Sequence, residues 1–213
     1  RAGSAGLAVL REQFPRARRI TIACGPGNNG GDGLVLARLA KEAGLHATVL
    51  SPGDLRKNKG EAAAAYDAWC KVGGNTLPFA VDHFSNADVL VDALFGIGLE
   101  RPLEGAWRAA VEALNASGRP ILALDIPSGL HADTGQVLGS AVRASATLSF
   151  IGLKAGMFTG QGREYCGAIE YDDLGVPSGI FDNIPETARR ISARNLRGLL
   201  APRTRHAHKG DAG

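Results

Sequence analysis

No stretch of this sequence approaches the roughly 20 consecutive apolar residues that a membrane-spanning helix needs. No signal-peptide pattern opens it; it starts at Arg1 rather than Met, so the natural N-terminus is expected upstream. There is no CxxC pair. The three cysteines, Cys24, Cys70 and Cys166, are scattered, which argues against a disulfide framework and fits a reducing, cytoplasmic setting. Each is expected to be a small buried hydrophobe. Charge of one sign is not in excess: 24 Lys and Arg stand against 21 Asp and Glu, a balance of +3. With no aromatic RNA-recognition motif either, a nucleic-acid surface is not expected. His46, His83 and His131 lack metal-ligand spacing and are given no role. What is present is 213 residues of which 45% are hydrophobic, enough for one domain with a sizeable core.

Apolar runs alternate with helix-compatible patterns. Helices are predicted over 2–14, 34–43, 58–72 and 103–116, with Gly44 and Gly73-Gly74 as stops. Strands are predicted over 19–24, 46–50, 77–81, 87–94, 120–124, 144–150 and 168–171. Such alternation implies a mostly parallel sheet covered on both faces. With the first three strands running outward in the order 3-2-1, the strand near 87–92 crosses over to lie beside the first. Ligands of open α/β sheets bind outside the strand carboxyl ends at such a reversal. The loop after the first strand, Asp92 and Asp125 are therefore expected to converge on one crevice.

That loop is Cys24-Gly25-Pro26-Gly27-Asn28-Asn29-Gly30-Gly31-Asp32-Gly33. Glycines there allow close backbone approach, and the first N–H groups of the following helix suit an anion. Read literally it contains GxGxxG, which would suit a nicotinamide-dependent oxidoreductase. The ribose-binding acid of such enzymes should lie about 20 residues on, and Asp54, in a turn after Pro52, fits poorly. Asp92, at the end of a buried strand, either caps the glycine loop or joins an asparagine carbonyl and backbone carbonyls around a cation such as potassium. Asp125, in Asp125-Ile126-Pro127-Ser128-Gly129, is either a general acid or base or an Asx turn. Ser128 is a turn hydroxyl or a further cation oxygen. Lys154 offers charge to a ligand phosphate or is solvated. Trp69 and Trp107 read as packing residues.

Four stretches together, 25–33, 92–98, 125–129 and 152–156, resemble the NAD(P)H-hydrate epimerase family, the YjeF N-terminal domain. The resemblance implies a Rossmann-like three-layer α/β/α sandwich that interconverts the R and S forms of hydrated NADH or NADPH, a cofactor damaged by a hydroxyl on C6 of its reduced ring. It implies a substrate loop at Asn28, Asn29, Gly30, Gly31 and Asp32, and a second substrate stretch at Gly96, Ile97, Gly98, Leu99, Glu100 and Arg101. Asp125 is the implied substrate-contacting acid, Lys154 a further substrate contact, and Asn29, Asp92 and Ser128 the implied K+ ligands. Where the family often has proline after the lysine, Ala155 stands here. A homodimer or higher oligomer is implied. Residues 201–213, ending Arg205-His206-Ala207-His208-Lys209-Gly210-Asp211-Ala212-Gly213, resemble the opening of an ADP- or ATP-dependent NAD(P)H-hydrate dehydratase, so an epimerase domain over 1–200 is expected to be fused to one. A scaffold without catalysis, as in mRNA decapping relatives of the fold, is the remaining alternative.

Overall fold

The computed structural model describes residues 1–182 together with Ile184, Ala188, Arg189 and Ile191. One compact unit spans Arg1–Val176 and a second Pro177–Gly213. Of the second, a 3-10 turn at Ser178–Phe181 is described; the expected boundary near 200 and the stretch 201–213 lie outside the described residues.

The first unit runs α1 (Ala2–Gln13), β1 (Arg19–Cys24), α2 (Asn28–Glu42), β2 (His46–Ser51), α3 (Gly60–Lys71), β3 (Thr76–Pro78), β4 (Val89–Ala93), α4 (Gly105–Ala116), β5 (Ile121–Leu124), β6 (Ala146–Phe150), α5 (Gly162–Tyr165) and β7 (Ala168–Asp172). The seven strands form one sheet in the order β3-β2-β1-β4-β5-β6-β7. Every pairing is parallel. The reversal expected between the first and fourth strands is there: Ala23 pairs with Asp92, and Asp92 with Ala123.

Alternate strand residues go to opposite faces. Ile20, Ile22, Val91, Ala93, Leu122 and Leu124 pack with Leu7 and Leu10 of α1, Leu34 and Leu36 of α2 and Trp69 of α3. Ala23, Leu50, Leu90 and Leu94 pack on the other face with Ala110, Val111 and Leu114 of α4. Trp107 lies edge-on to Phe95, 5.1 Å between centroids. The α4 spacing is that of one apolar stripe. Both glycine stops close helices in the same way. Leu45 N–H bonds Ala40 O after α2, and Gly74 N–H bonds Trp69 O after α3. Gly44 and Gly73 carry the positive φ, 81° and 71°, that this cap needs.

Strand and helix ends fall within three residues of expectation, except at α2, and the short α5 is an element the sequence patterns do not predict. That helix begins at Asn28, not Leu34, so Gly30, Gly31 and Gly33 are helical. Three glycines weaken a helix by about 1 kcal/mol each in isolation. Here tertiary packing requires them. A Cβ at Gly31 would sit 3.1 Å from Ala62 Cα of α3, and one at Gly33 2.5 Å from Ala93 Cβ. A Cβ at Gly30 would run into the Gly25 carbonyl oxygen. The glycines let α2 lie against the sheet and α3 with its N-terminus at the strand tips. Cys24 and Cys166 are buried as expected, whereas Cys70 is exposed on the outer face of α3.

Candidate active site at the strand tips

The N-terminus of α2 is open. Gly27 is its cap residue, and no side chain caps it. Gly31 N–H is the first to bond back, to Gly27 O at 3.0 Å. The N–H groups of Asn28, Asn29 and Gly30 have no partner among the described residues, an arrangement that suits an anion. Gly27 has φ +89° and open space where a side chain would stand. With ψ −166° as well, Gly27 lies in a region that glycine alone adopts readily, so Gly27→Ala is expected to cost backbone strain alone, about 1–3 kcal/mol, and urea denaturation of a folded variant measures it.

Beneath this terminus lies a buried polar knot. Asp92 is fully buried. Its Oδ1 accepts from Leu94 N (3.1 Å) and Ser128 Oγ (2.6 Å), and its Oδ2 from Ser128 N (2.8 Å). Burial pushes its carboxyl up to about 6, while the three donors from Ser128 and Leu94 pull it down. Ser128 Oγ also accepts from Phe95 N (2.8 Å) and lies 3.1 Å from Phe95 O. One hydroxyl proton cannot serve both Asp92 and Phe95 O, so the Phe95 carbonyl is left with spare acceptor capacity. Asn29 is buried too, and neither its Oδ1 nor its Nδ2 has a hydrogen-bond partner. An orphaned buried amide is costly unless something else meets it. The Asn29 amide lies beside Gly96, the residue after Phe95; amide, hydroxyl, carbonyl and carboxylate oxygens are the donor types that suit a hard monovalent cation. Among the described residues no three His, Cys, Asp or Glu side chains gather to hold a metal ion.

The expectation that both carboxylates face one crevice holds for Asp125 alone. Asp92 is fully buried beneath the Leu94 and Ser128 groups that bond it, so it does not line the crevice; it holds the Ser128 turn and the start of the loop after β4.

Asp125 follows β5 directly and has φ +68°. Its Oδ1 accepts from Lys154 Nζ at 2.5 Å, with the two side chains 15% and 12% exposed. Its Oδ2 accepts from Ile97 N at 3.2 Å. A Cβ at Gly96 would stand 2.7 Å from that Oδ2 and 3.5 Å from Asn29 Cβ. Gly96, Asn29 and Asp125 are thus adjacent. The turn after β5 is closed by backbone bonds, Ile126 N to Leu124 O and Leu130 N to Pro127 O, so the Asx-turn reading of Asp125 is not what the side chain does. Nor is Lys154 solvated. It donates to Asp125 Oδ1, to Phe150 O (2.8 Å) and to Ser149 Oγ (3.1 Å). Ser149 joins the site without having been expected there, although a hydroxyl inside the apolar strand Leu148-Ser149-Phe150 is a readable signal.

The remaining candidates lie on the loop after β4 and at the start of α2. Ile97, Gly98, Glu100 and Arg101 are exposed and Leu99 is half-buried beyond the β4 tip; Asn28 is exposed at the helix start. Asp32 is half-buried, one turn beyond Asn29. Burial raises its carboxyl to about 6, opposed by the α-amino group of Arg1 and reinforced by Asp125 and Glu61. Asp54 caps its own 3-10 turn by accepting from Arg56 N and pairs with the Arg56 side chain, so it does not serve as a ribose reader. A groove lined by Phe84, Ser117 and Arg119 sits at the opposite, N-terminal ends of β4 and β5, away from all of these groups.

The profile of the family described as YjeF-related protein N-terminus matches residues 1–156. The chain is 41% identical over 213 residues to the bifunctional NAD(P)H-hydrate repair enzyme Nnr of Coxiella burnetii, covering 100% of this chain and 44% of that protein. It is 38% identical over 180 residues to the NAD(P)H-hydrate epimerase of Limosilactobacillus fermentum, covering 83% of this chain and 85% of that one. The chain thus spans less than half the length of the bifunctional relative and most of the epimerase. The crystal structure of yeast YNL200c has the same fold, with a TM-score of 0.74 at 21% identity over 90% of this chain and 85% of that one. No helix among the described residues is long and apolar enough to cross a membrane. The matched segment carries β1 to β6, the open α2 terminus, the Asp92–Ser128 knot and the Asp125–Lys154 pair; this chain belongs to the family of YjeF-related protein N-termini.

Proposed function

We propose that this chain interconverts the R and S forms of hydrated NADH and NADPH, the C6-hydroxylated reduced cofactors. The observation that carries the reading is one carboxylate, Asp125, standing beside an uncapped helix N-terminus. The open N–H groups of Asn28, Asn29 and Gly30 would take the diphosphate, and the exposed stretch Ile97 to Arg101 would flank the nucleotide. That leaves Asp125 to meet the reduced ring. No ribose-reading acid and no second reducible substrate are needed, which separates this reading from a hydride-transferring enzyme.

C6 is a hemiaminal carbon, bonded to both the hydroxyl oxygen and the ring nitrogen. A carboxylate held in a salt bridge starts the cycle as a proton acceptor. Asp125 Oδ2 would take the hydroxyl proton while the C6–N1 bond breaks; the oxygen electrons form a carbonyl and the C6–N1 pair goes to nitrogen. Asp125 then returns the proton to N1. Rotation of the open aldehyde and reclosure, with the proton carried back to oxygen, gives the other epimer without net gain or loss of protons. Expulsion of the hydroxyl as water through an iminium ion uses the same group in the opposite order.

K+ belongs to the same proposal. Asn29, Asp92 and Ser128 would hold it, and its positive charge would fix the turn that carries Asp125. The orphaned Asn29 amide and the spare Phe95 carbonyl support this. The consequence for stability has a definite sign. Asp92 in the folded chain binds a proton up to about pH 6, against an ordinary value of 3.8. Between those values the folded state holds more protons than the unfolded one, so stability falls as pH rises through the window, by at most about 3 kcal/mol. Melting in K+-free buffer is expected to show that fall, and KCl to reverse it near pH 7 more effectively than LiCl. A melting temperature indifferent to K+ at that pH would remove the cation from the account. A dehydratase fused to this domain, acting on one epimer, would give the exchange its use.

A further inference from the structure

Lys154 occupies the point where two strained strand tips meet. β5 and β6 are neighbours, paired Leu124 with Leu148. Beyond each, the chain turns through a residue with positive φ whose flanking residues bond to each other. Asp125 has φ +68° with Ile126 N bonded to Leu124 O at 2.9 Å; Ile151 has φ +63° with Gly152 N bonded to Phe150 O at 2.6 Å. Three-residue turns of this hand are rare and strained, and a β-branched residue in that region is an outlier. Strain of this kind persists where the surrounding structure holds it and gathers at functional sites.

The second turn aims the Phe150 carbonyl back at Lys154. Phe150 O then accepts from both Gly152 N and Lys154 Nζ, and Ser149 Oγ donates to Gly152 O (2.9 Å) while accepting from Lys154. An ammonium has three protons and no acceptor. All three are committed, to Asp125 Oδ1, Ser149 Oγ and Phe150 O. None remains for a phosphate.

We propose that Lys154 is a positioning residue acting through Asp125: anchored by Ser149 and Phe150, it ties down Oδ1 and leaves Oδ2, on the side of Gly96 and Asn29, as the oxygen that exchanges the proton. This rests on the epimerase reading for its kinetic arm, and replaces the expectation that Lys154 contacts substrate.

Three measurements test it. Lys154→Met is expected to lower kcat for R-to-S exchange at least thirtyfold while KM changes less than threefold; a phosphate-binding lysine would raise KM tenfold or more and spare kcat. The Asp125→Asn/Lys154→Met double variant is expected to be no slower than Asp125→Asn alone, within threefold, because the lysine acts only through the carboxylate; full multiplication of the two losses would overturn the proposal. Should Lys154→Met fail to fold, Ser149→Ala, which removes one anchor, carries the same prediction at several-fold size in kcat, and an unchanged kcat contradicts it. The third measurement needs no activity. In protein labelled with 15N-lysine, the Lys154 ammonium protons are expected to exchange slowly with solvent in the wild type and rapidly in Asp125→Asn. Rapid exchange in the wild type would overturn the pairing itself. A wild type that leaves the epimers untouched while showing the slow ammonium signal would instead sink the functional reading and leave the pair standing.

Discussion

Asp125→Asn is expected to slow the exchange of R and S hydrates by a factor of about 10²–10⁴, the usual worth of one positioned acid–base group, in a chain that still folds. Asparagine is among the few residues that tolerate the left-handed conformation, so the turn at φ +68° survives. The loss is chemical. An amide cannot shuttle a proton at neutral pH, and its NH2 must face either the Lys154 ammonium or the Ile97 N–H, where donors meet donors. That mismatch costs about 1–3 kcal/mol of stability. Asp125→Ala would add backbone strain and confuse the two effects, which makes the amide the better test. Wild-type activity in Asp125→Asn, with the variant's sequence verified, would remove the residue from the chemistry.

Gly30→Ala is expected to have the largest effect on the fold. Its Cβ would be driven into the carbonyl oxygen of Gly25, which is backbone and cannot swing aside. Gly25 is itself blocked in the same way by the Leu94 carbonyl. Loop, helix start and β4 tip therefore form a stack of three backbones in contact, and a methyl group inserted in it must part them. The expected cost is above about 4 kcal/mol, the range of exceptional single substitutions, against total stabilities of about 5–15 kcal/mol. Denaturant unfolding measures it; a variant within about 1 kcal/mol of wild type would show that the stack yields. Gly27→Ala is the control, since it changes the same loop but meets nothing.

The contrast shows what a sequence can and cannot say. The strand at 19–24, the crossover that puts β4 beside β1, and the tip positions of Asp92 and Asp125 follow from apolar runs and parallel topology. The start of α2 does not, because glycines read locally as helix breakers while the reason for them lies in close approaches that only the fold creates: to the Gly25 carbonyl within the loop, and to Ala62 and Ala93 far along the chain. The burial of Asp92 was half readable: it shares strand parity with Leu90 and Leu94, which pack against α4. The Asp125–Lys154 pair was not, since two polar residues beyond different strands carry no mark of contact until the register is known. Motif resemblance named most of the groups near the site; what only the coordinates add is that Asp92, placed at the crevice by topology, is fully buried, and that Lys154 pairs with Asp125.

The most direct measurement follows separated R and S hydrates of NADPH by chromatography after each is incubated with the protein, with and without KCl. The account predicts that either epimer, supplied pure, relaxes to the same mixture, faster with K+ and with no oxidation of the reduced ring. Persistence of both pure epimers in the presence of folded protein and K+ would contradict it.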